Sequence, residues 1–223
     1  FGVLVAVALG WVLSRDTKPI LPSVAAYVPV STDQPVTPIP SGLSLDARMV
    51  ALGDKLFHDK RLSRDDSISC ATCHAIDKSG HDGRAVAMGV GGQTGSLNSP
   101  TVFNSAFSFR QFWDGRAATL EEQAEGPIHN VIEMASNWRE VMMKLRRDST
   151  MADDFKRIWP DGMTPANIQR AIAEYERSLI TPDSPFDRFL RGDQNAIGPE
   201  AKEGWRLFRD LGCIACHQGV NLG

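Results

Sequence analysis

The chain has 223 residues, enough for one large or two small domains, and with 42% hydrophobic and 23% charged residues it can bury a core. A formal net charge of -3 and the lack of any basic tract argue against a nucleic-acid partner. All four cysteines sit in two C-x-x-C-H strings, which leaves none for a disulfide framework or a free nucleophile.

In chain order, Phe1 to Leu13 is almost free of polar residues. Thirteen residues are too few for a full membrane span of about 20. They fit a signal-peptide core or the end of a membrane anchor, and the anchor is the favoured expectation. Residues 14–42 form a linker by composition, with Pro19, Pro22, Pro29, Pro35, Pro38 and Pro40 spaced too closely for a helix.

The folded part is expected from Leu43 onward. Leu45, Met49, Leu52, Leu56 and Phe57 recur at helical spacing, with Asp46 in the first turn where the helix dipole favours an acid. Residues 80–100 are Gly-rich and aperiodic, which predicts a long loop, and such loops are usually functional. A helix starting at Ser136 is predicted to run through Arg147. Thr164 and Pro165 are a cap and a first-turn residue for a helix whose face is Ile168, Ile172, Tyr175 and Leu179, ended by Pro182 and Pro185. Pro199 opens another, carrying Trp205, Leu207, Phe208 and Leu211.

The two C-x-x-C-H strings are Cys70, Cys73, His74 and Cys213, Cys216, His217. Zinc or a redox dithiol also uses C-x-x-C, but neither requires a histidine after each second cysteine. Two full strings indicate two covalent haem c groups, with His74 and His217 as proximal ligands. An internal repeat agrees: Gly53, Leu56 and Phe57 precede the first string as Gly204, Leu207 and Phe208 precede the second. The expected fold is mainly α, with two c-type cytochrome domains after the apolar segment. Residues 43–190 form the first and 191–223 the start of the second. Only six residues follow His217, too few to close a cytochrome fold, so the second domain is expected to continue past Gly223.

Three other histidines could approach an iron: His58 one helical turn before the first string, His81 in the Gly-rich loop, and His129 after Pro127. Each has a plainer reading as a solvated or packing histidine.

The stretches Asn98 to Asn104, Gln111 to Ala117 and Glu122 to Pro127, then Glu133 and Met134, agree in order and spacing with one family. From about Asp46 onward the chain resembles the bacterial dihaem cytochrome c peroxidases, grouped with the MauG-type dihaem enzymes. The resemblance implies a peroxidatic haem on His74 and an electron-receiving haem on His217. It implies Trp113 between the haems, and Gln123, Pro127 and Glu133 lining the distal pocket. It implies Asn98 as a calcium ligand. A carboxylate such as Glu133 can move a proton between the oxygens of peroxide, and partial desolvation between Ile132 and Met134 would raise its pKa.

One departure stands out. Many members carry in the Gly-rich loop a histidine that ligates the first iron until partial reduction releases it. Here Val90 occupies that place and cannot ligate, with Met88 as a nearby alternative. The expectation is a first haem open without reductive activation. The function implied is reduction of hydrogen peroxide to water by electrons from a small cytochrome c or cupredoxin, in the periplasm at the inner membrane. A homodimer is compatible with it. The alternative is a MauG-type oxidase that modifies aromatic side chains of a partner protein, since those relatives also lack the loop histidine. A bare membrane-tethered electron carrier is disfavoured by Trp113, Gln123 and Glu133.

Overall fold

The computed structural model describes residues 34–222, and residues 1–13 and most of the linker lie outside them. Among the described residues there are eight α-helices, five short 3-10 turns and no strand beyond isolated bridges. No helix among them is long and apolar enough to cross a membrane.

Helix α1 spans Ala47–Phe57. Asp46 is its N-cap rather than a first-turn residue, and its carboxylate accepts from the Arg48 N–H. An extended backbone at Asp46 lets the side chain fold back onto an otherwise unpaired donor. The first haem string starts in the single turn α2, Cys70–Cys73, followed in order by α3 (Leu120–His129) and α4 (Trp138–Leu145). Helix α5 is Ser149–Ile158 and α6 is Pro165–Ser178.

The helix predicted from Ser136 through Arg147 is α4, shorter at both ends: Asn137, not Ser136, caps it, and it stops at Leu145. Asp148 then caps α5, a helix the sequence reading did not contain, by accepting from the Met151 N–H at 3.1 Å. Thr164 caps α6 with Pro165 in its first turn, as read from the sequence. That helix ends at Ser178, before Pro182, and Pro185 opens a further helix, α7 (Pro185–Leu190), instead of merely ending one. Helix α8, Pro199–Asp210, leads to the second haem string.

The core lies where α1, α3, α4, α5 and α6 meet. Leu56, Phe57, Leu62, Val141, Leu145, Phe155 and Ile168 are fully buried there. Each such side chain contributes roughly 1.5–3 kcal/mol by leaving water. Helices α1 and α6 cross closely because position 53 is glycine: a Cβ there would lie 1.9 Å from the Ala171 carbonyl oxygen. Lys144 of α4 pins the loop ahead of Cys70, donating to the carbonyls of Ser63 and Arg64 and to Asp66.

The end of the proposed linker is packed. Val36 is buried, the Ile39 N–H donates to Asp187 at 2.8 Å, and Arg191 donates to the Ile39 carbonyl at 2.6 Å. Gly219 N–H donates to the Pro35 carbonyl at 2.7 Å. Residues 35–39 thus strap α7 to the second haem string.

Candidate haem sites

The two C-x-x-C-H strings share one local design. All four thiols are unpaired. Nδ1 of His74 lies 3.0 Å from the Pro100 carbonyl, and Nδ1 of His217 lies 2.9 Å from the Leu222 carbonyl. A proton on Nδ1 donating to that oxygen puts the lone pair of each ring on Nε2, the tautomer needed to hold iron. Phe57 packs near His74 with ring centroids 6.5 Å apart, and Phe208 near His217 at 6.1 Å. The repeat read from the sequence is therefore also a repeat of ring contacts. These donors, two thiols and an oriented imidazole at each string, fit covalently attached haem c.

Glu133 sits in a turn folded back against the end of α3. Met134 N–H donates to the Pro127 carbonyl, and Ser136 N–H to the Ile128 carbonyl. The Glu133 carboxylate is half-buried and accepts from the Asn130 side-chain amide at 2.6 Å. Burial pushes its pKa above the ordinary carboxylate value, against the opposing pull of Asn130 and the Arg116 charge. The desolvation expected from Ile132 and Met134 is thus in place. Asn130 was not singled out in the sequence. Its only signal was an asparagine able to close a turn, and its Oδ1 does accept from the Ile132 N–H.

Gln123 and Pro127 stand one turn apart on α3 and share a helix face. Proline has no N–H, so the Gln123 carbonyl lacks its usual helical donor and the helix stops at His129. At Gly126 α3 packs closely on the Phe112 turn: a Cβ there would lie 2.7 Å from the tip of the Phe112 ring, which would have to shift.

Phe112 holds a left-handed backbone with φ of 67°, a strained state for an aromatic residue, with the Arg116 guanidinium 3.4 Å above its ring. That turn presents Trp113 outward. Trp113 is 61% exposed, so it is not a core aromatic, and its indole N–H donates to the Asn98 carbonyl at 3.1 Å. It lines an open groove with His81, Phe103, Asn104 and Arg110.

The Gly-rich loop is ordered by its own bonds and joined to the Glu133 turn. Val90 N–H donates to the Glu133 carbonyl at 2.8 Å, and Gln93 donates to the Val131 carbonyl at 3.1 Å. Val90 is buried, and Gly89 packs so closely that a Cβ would lie 2.0 Å from the Ile132 carbonyl oxygen. Met88 is 39% exposed instead of facing the core, with its carbonyl 3.8 Å from the Cys73 sulfur.

The remaining histidines each meet a neighbouring group. His58 pairs with Asp54, His81 accepts from the Gly83 N–H, and His129 is exposed and meets the Trp138 ring edge-on. Asn98 is exposed, and among the described residues no group of three His, Cys, Asp or Glu could hold a metal.

Paired C-x-x-C-H strings with oriented imidazoles in a helical fold are the features of c-type cytochromes. Residues 47–195 match the model of the di-haem cytochrome c peroxidase family, and the chain belongs to that family. It is 54% identical over 196 residues to cytochrome c peroxidase Ccp of Escherichia coli, covering 87% of this chain and 42% of that protein. It is 45% identical over 185 residues to cytochrome c551 peroxidase of Pseudomonas aeruginosa, covering 82% and 54%. Methylamine utilization protein MauG of Methylophilus methylotrophus is 37% identical over 184 residues, covering 81% and 55%. Among solved structures, a MauG-like protein associated with microbial copper homeostasis superposes with a TM-score of 0.71 at 26% identity, covering 86% of this chain and 60% of that one. The chain spans about half the length of the curated relatives it matches.

Proposed function

We propose that this chain is the peroxide-reducing part of a dihaem cytochrome c peroxidase. The observation that carries the reading is Glu133: a half-buried carboxylate with a raised pKa, held by Asn130, on a turn bonded to the Gln123 and Pro127 helix. When bound, the haem on His74 supplies the coordination site and electrons for cleavage of the peroxide O–O bond. The protein residues do the rest. Glu133 takes the proton from the near oxygen of hydrogen peroxide and returns it to the far oxygen, which leaves as water. Asn130 fixes the carboxylate for both transfers. Gln123 orients peroxide by its amide without titrating. Electrons would come from a small cytochrome c or cupredoxin in the periplasm; Cys213, Cys216 and His217 would hold the group that takes them up, and Trp113, exposed in the open groove, would lie on their path. A tether to the inner membrane through residues 1–13, and a homodimer, belong to the same proposal.

The first haem is active without prior reduction. Buried Val90 offers no ligand, and its N–H bond to the Glu133 carbonyl ties the loop to the peroxide side. The test is steady-state turnover with peroxide and reduced cytochrome c, starting from fully oxidised protein. Immediate turnover with a high-spin signal in the resting EPR spectrum is expected. Two low-spin haems and a lag abolished by pre-reduction would refute the open-haem reading.

Val90 also favours a second reading, a MauG-type oxidase acting on aromatic side chains of a partner protein. Absence of cytochrome c turnover, together with peroxide-dependent modification of a partner, would select it.

A further inference from the structure

From His74 of the first haem string runs a second line of contacts, and it ends at the surface. The Phe57 ring lies 6.5 Å from His74 and 5.1 Å from Tyr175, centroid to centroid. Tyr175 in turn lies 6.3 Å from His58, whose Nδ1 is 3.1 Å from Asp54 Oδ1. The Asp54 carboxylate is near enough to the Tyr175 hydroxyl to act on it electrostatically. Tyr175 is 9% exposed, whereas the side chains of Asp54 and His58 are 54% and 50% exposed. The rings thus lead from the proximal ligand through the core to a wet acid–base pair.

We propose that Tyr175 is a redox-active relay that gives one electron toward the first haem site and its phenolic proton to Asp54. The chemistry needs both partners. A phenol that loses an electron becomes a very strong acid, and in a buried site it cannot keep the charge. It is oxidised readily only when a base already accepts its proton. Asp54 is that base, and His58 can take the proton onward to solvent. Burial and the Asp54 charge push the Tyr175 phenol up to about 12, so it stays protonated until it is oxidised. Electron tunnelling falls off exponentially with distance, and contiguous ring contacts divide the path into short hops.

The balance closes on hydrogen peroxide as oxidant. One H2O2 takes two electrons and two protons to give two H2O. Tyr175 supplies one electron, and its proton passes by Asp54 to solvent. The second electron comes from the external donor. The neutral tyrosyl left behind is re-reduced by the same donor. The relay therefore matters when peroxide arrives faster than the donor delivers electrons, when an oxidising equivalent would otherwise attack the pocket.

This inference rests on the peroxidase reading. The plain alternative is that Tyr175 only fills the crossing of α1 and α6, and Tyr175→Phe preserves that packing. The haem-loaded protein is mixed with excess peroxide without donor, freeze-quenched and examined by EPR. Wild type is expected to give a tyrosyl signal that Tyr175→Phe lacks. Tyr175→Phe should also lose its haem absorbance several-fold faster. Asp54→Asn, which leaves the phenol in place, should lower the radical yield several-fold and carries the test if Tyr175→Phe misfolds. A protein that consumes peroxide yet gives no tyrosyl signal, or an unchanged signal in Tyr175→Phe, overturns the relay alone. No consumption of peroxide overturns the peroxidase reading and the relay with it.

Discussion

Two carboxyls in this chain have raised pKa values and different surroundings. Under the proposed function Glu133, half-buried and hydrogen-bonded, is a base that must be ionised to accept a proton. Peroxide turnover should therefore fall as pH drops through a value above the ordinary carboxylate range. Glu133→Gln should lower kcat/KM about 10²- to 10⁴-fold and abolish that acid limb, with both haems still attached. A variant that keeps the limb would transfer the role to another group. Glu176 of α6 is buried with Oε2 unpartnered, and burial pushes its pKa up to about 8. The folded protein then binds a proton that the unfolded chain releases near the ordinary value of 4.5. Stability falls as pH rises from that value through the folded one. Glu176→Gln should flatten the dependence of Tm on pH and raise Tm at pH near 8. At this scale the sequence was legible where a motif spoke. Glu133, Gln123, Pro127 and Trp113 stood out only as a set in the family order, since each alone is an ordinary surface or core residue. Asn130 and Glu176 were not legible, because their roles come from what packs over them.

Helices were read best where their caps are local. Thr164 with Pro165 marks α6 by chemistry confined to four residues, since Thr164 accepts from the Asn167 N–H. Helix α5 escaped because its polar run Asp153, Asp154, Lys156 and Arg157 hides the buried pair Met151 and Phe155. The close approach of α1 and α6 could not be seen either, since a glycine inside an amphipathic run reads first as a weak helix former. Gly53→Ala tests which effect wins. Alanine improves helix propensity by roughly 0.5–1 kcal/mol. Its methyl, however, would meet the Ala171 carbonyl at 1.9 Å, and relieving that contact costs about 1–3 kcal/mol or more because the obstacle is backbone. A lower urea midpoint with unchanged m-value is expected. Equal or greater stability would show that the two helices part without penalty.

For the whole molecule, the sequence divided the chain near residue 190, and the contacts around α7 run across that line. Phe186 of α7 meets Trp205 of α8 at 5.3 Å, and Trp205 stacks near Phe208, which leads to His217. Asp187 of α7 is buried and accepts from the Ile39 N–H, the Ser184 N–H and the Ser184 hydroxyl. Asp187→Ala would orphan those donors together. It should cost about 3 kcal/mol, as expected for losing bonds to a buried charge, and speed proteolysis ahead of residue 40. Unchanged cleavage would mean that Val36 and Arg191 hold the strap unaided. Composition could not foretell this docking, because a proline-rich run looks the same whether solvated or packed.

The strap also gives the molecule a direction. Whatever precedes residue 34 joins the folded body beside His217, since Pro35 and Thr37 bond to Gly219. A leash fastened upstream would hold the protein by the end of the chain that carries His217, so that cutting the strap would free the second C-x-x-C-H string from it as well.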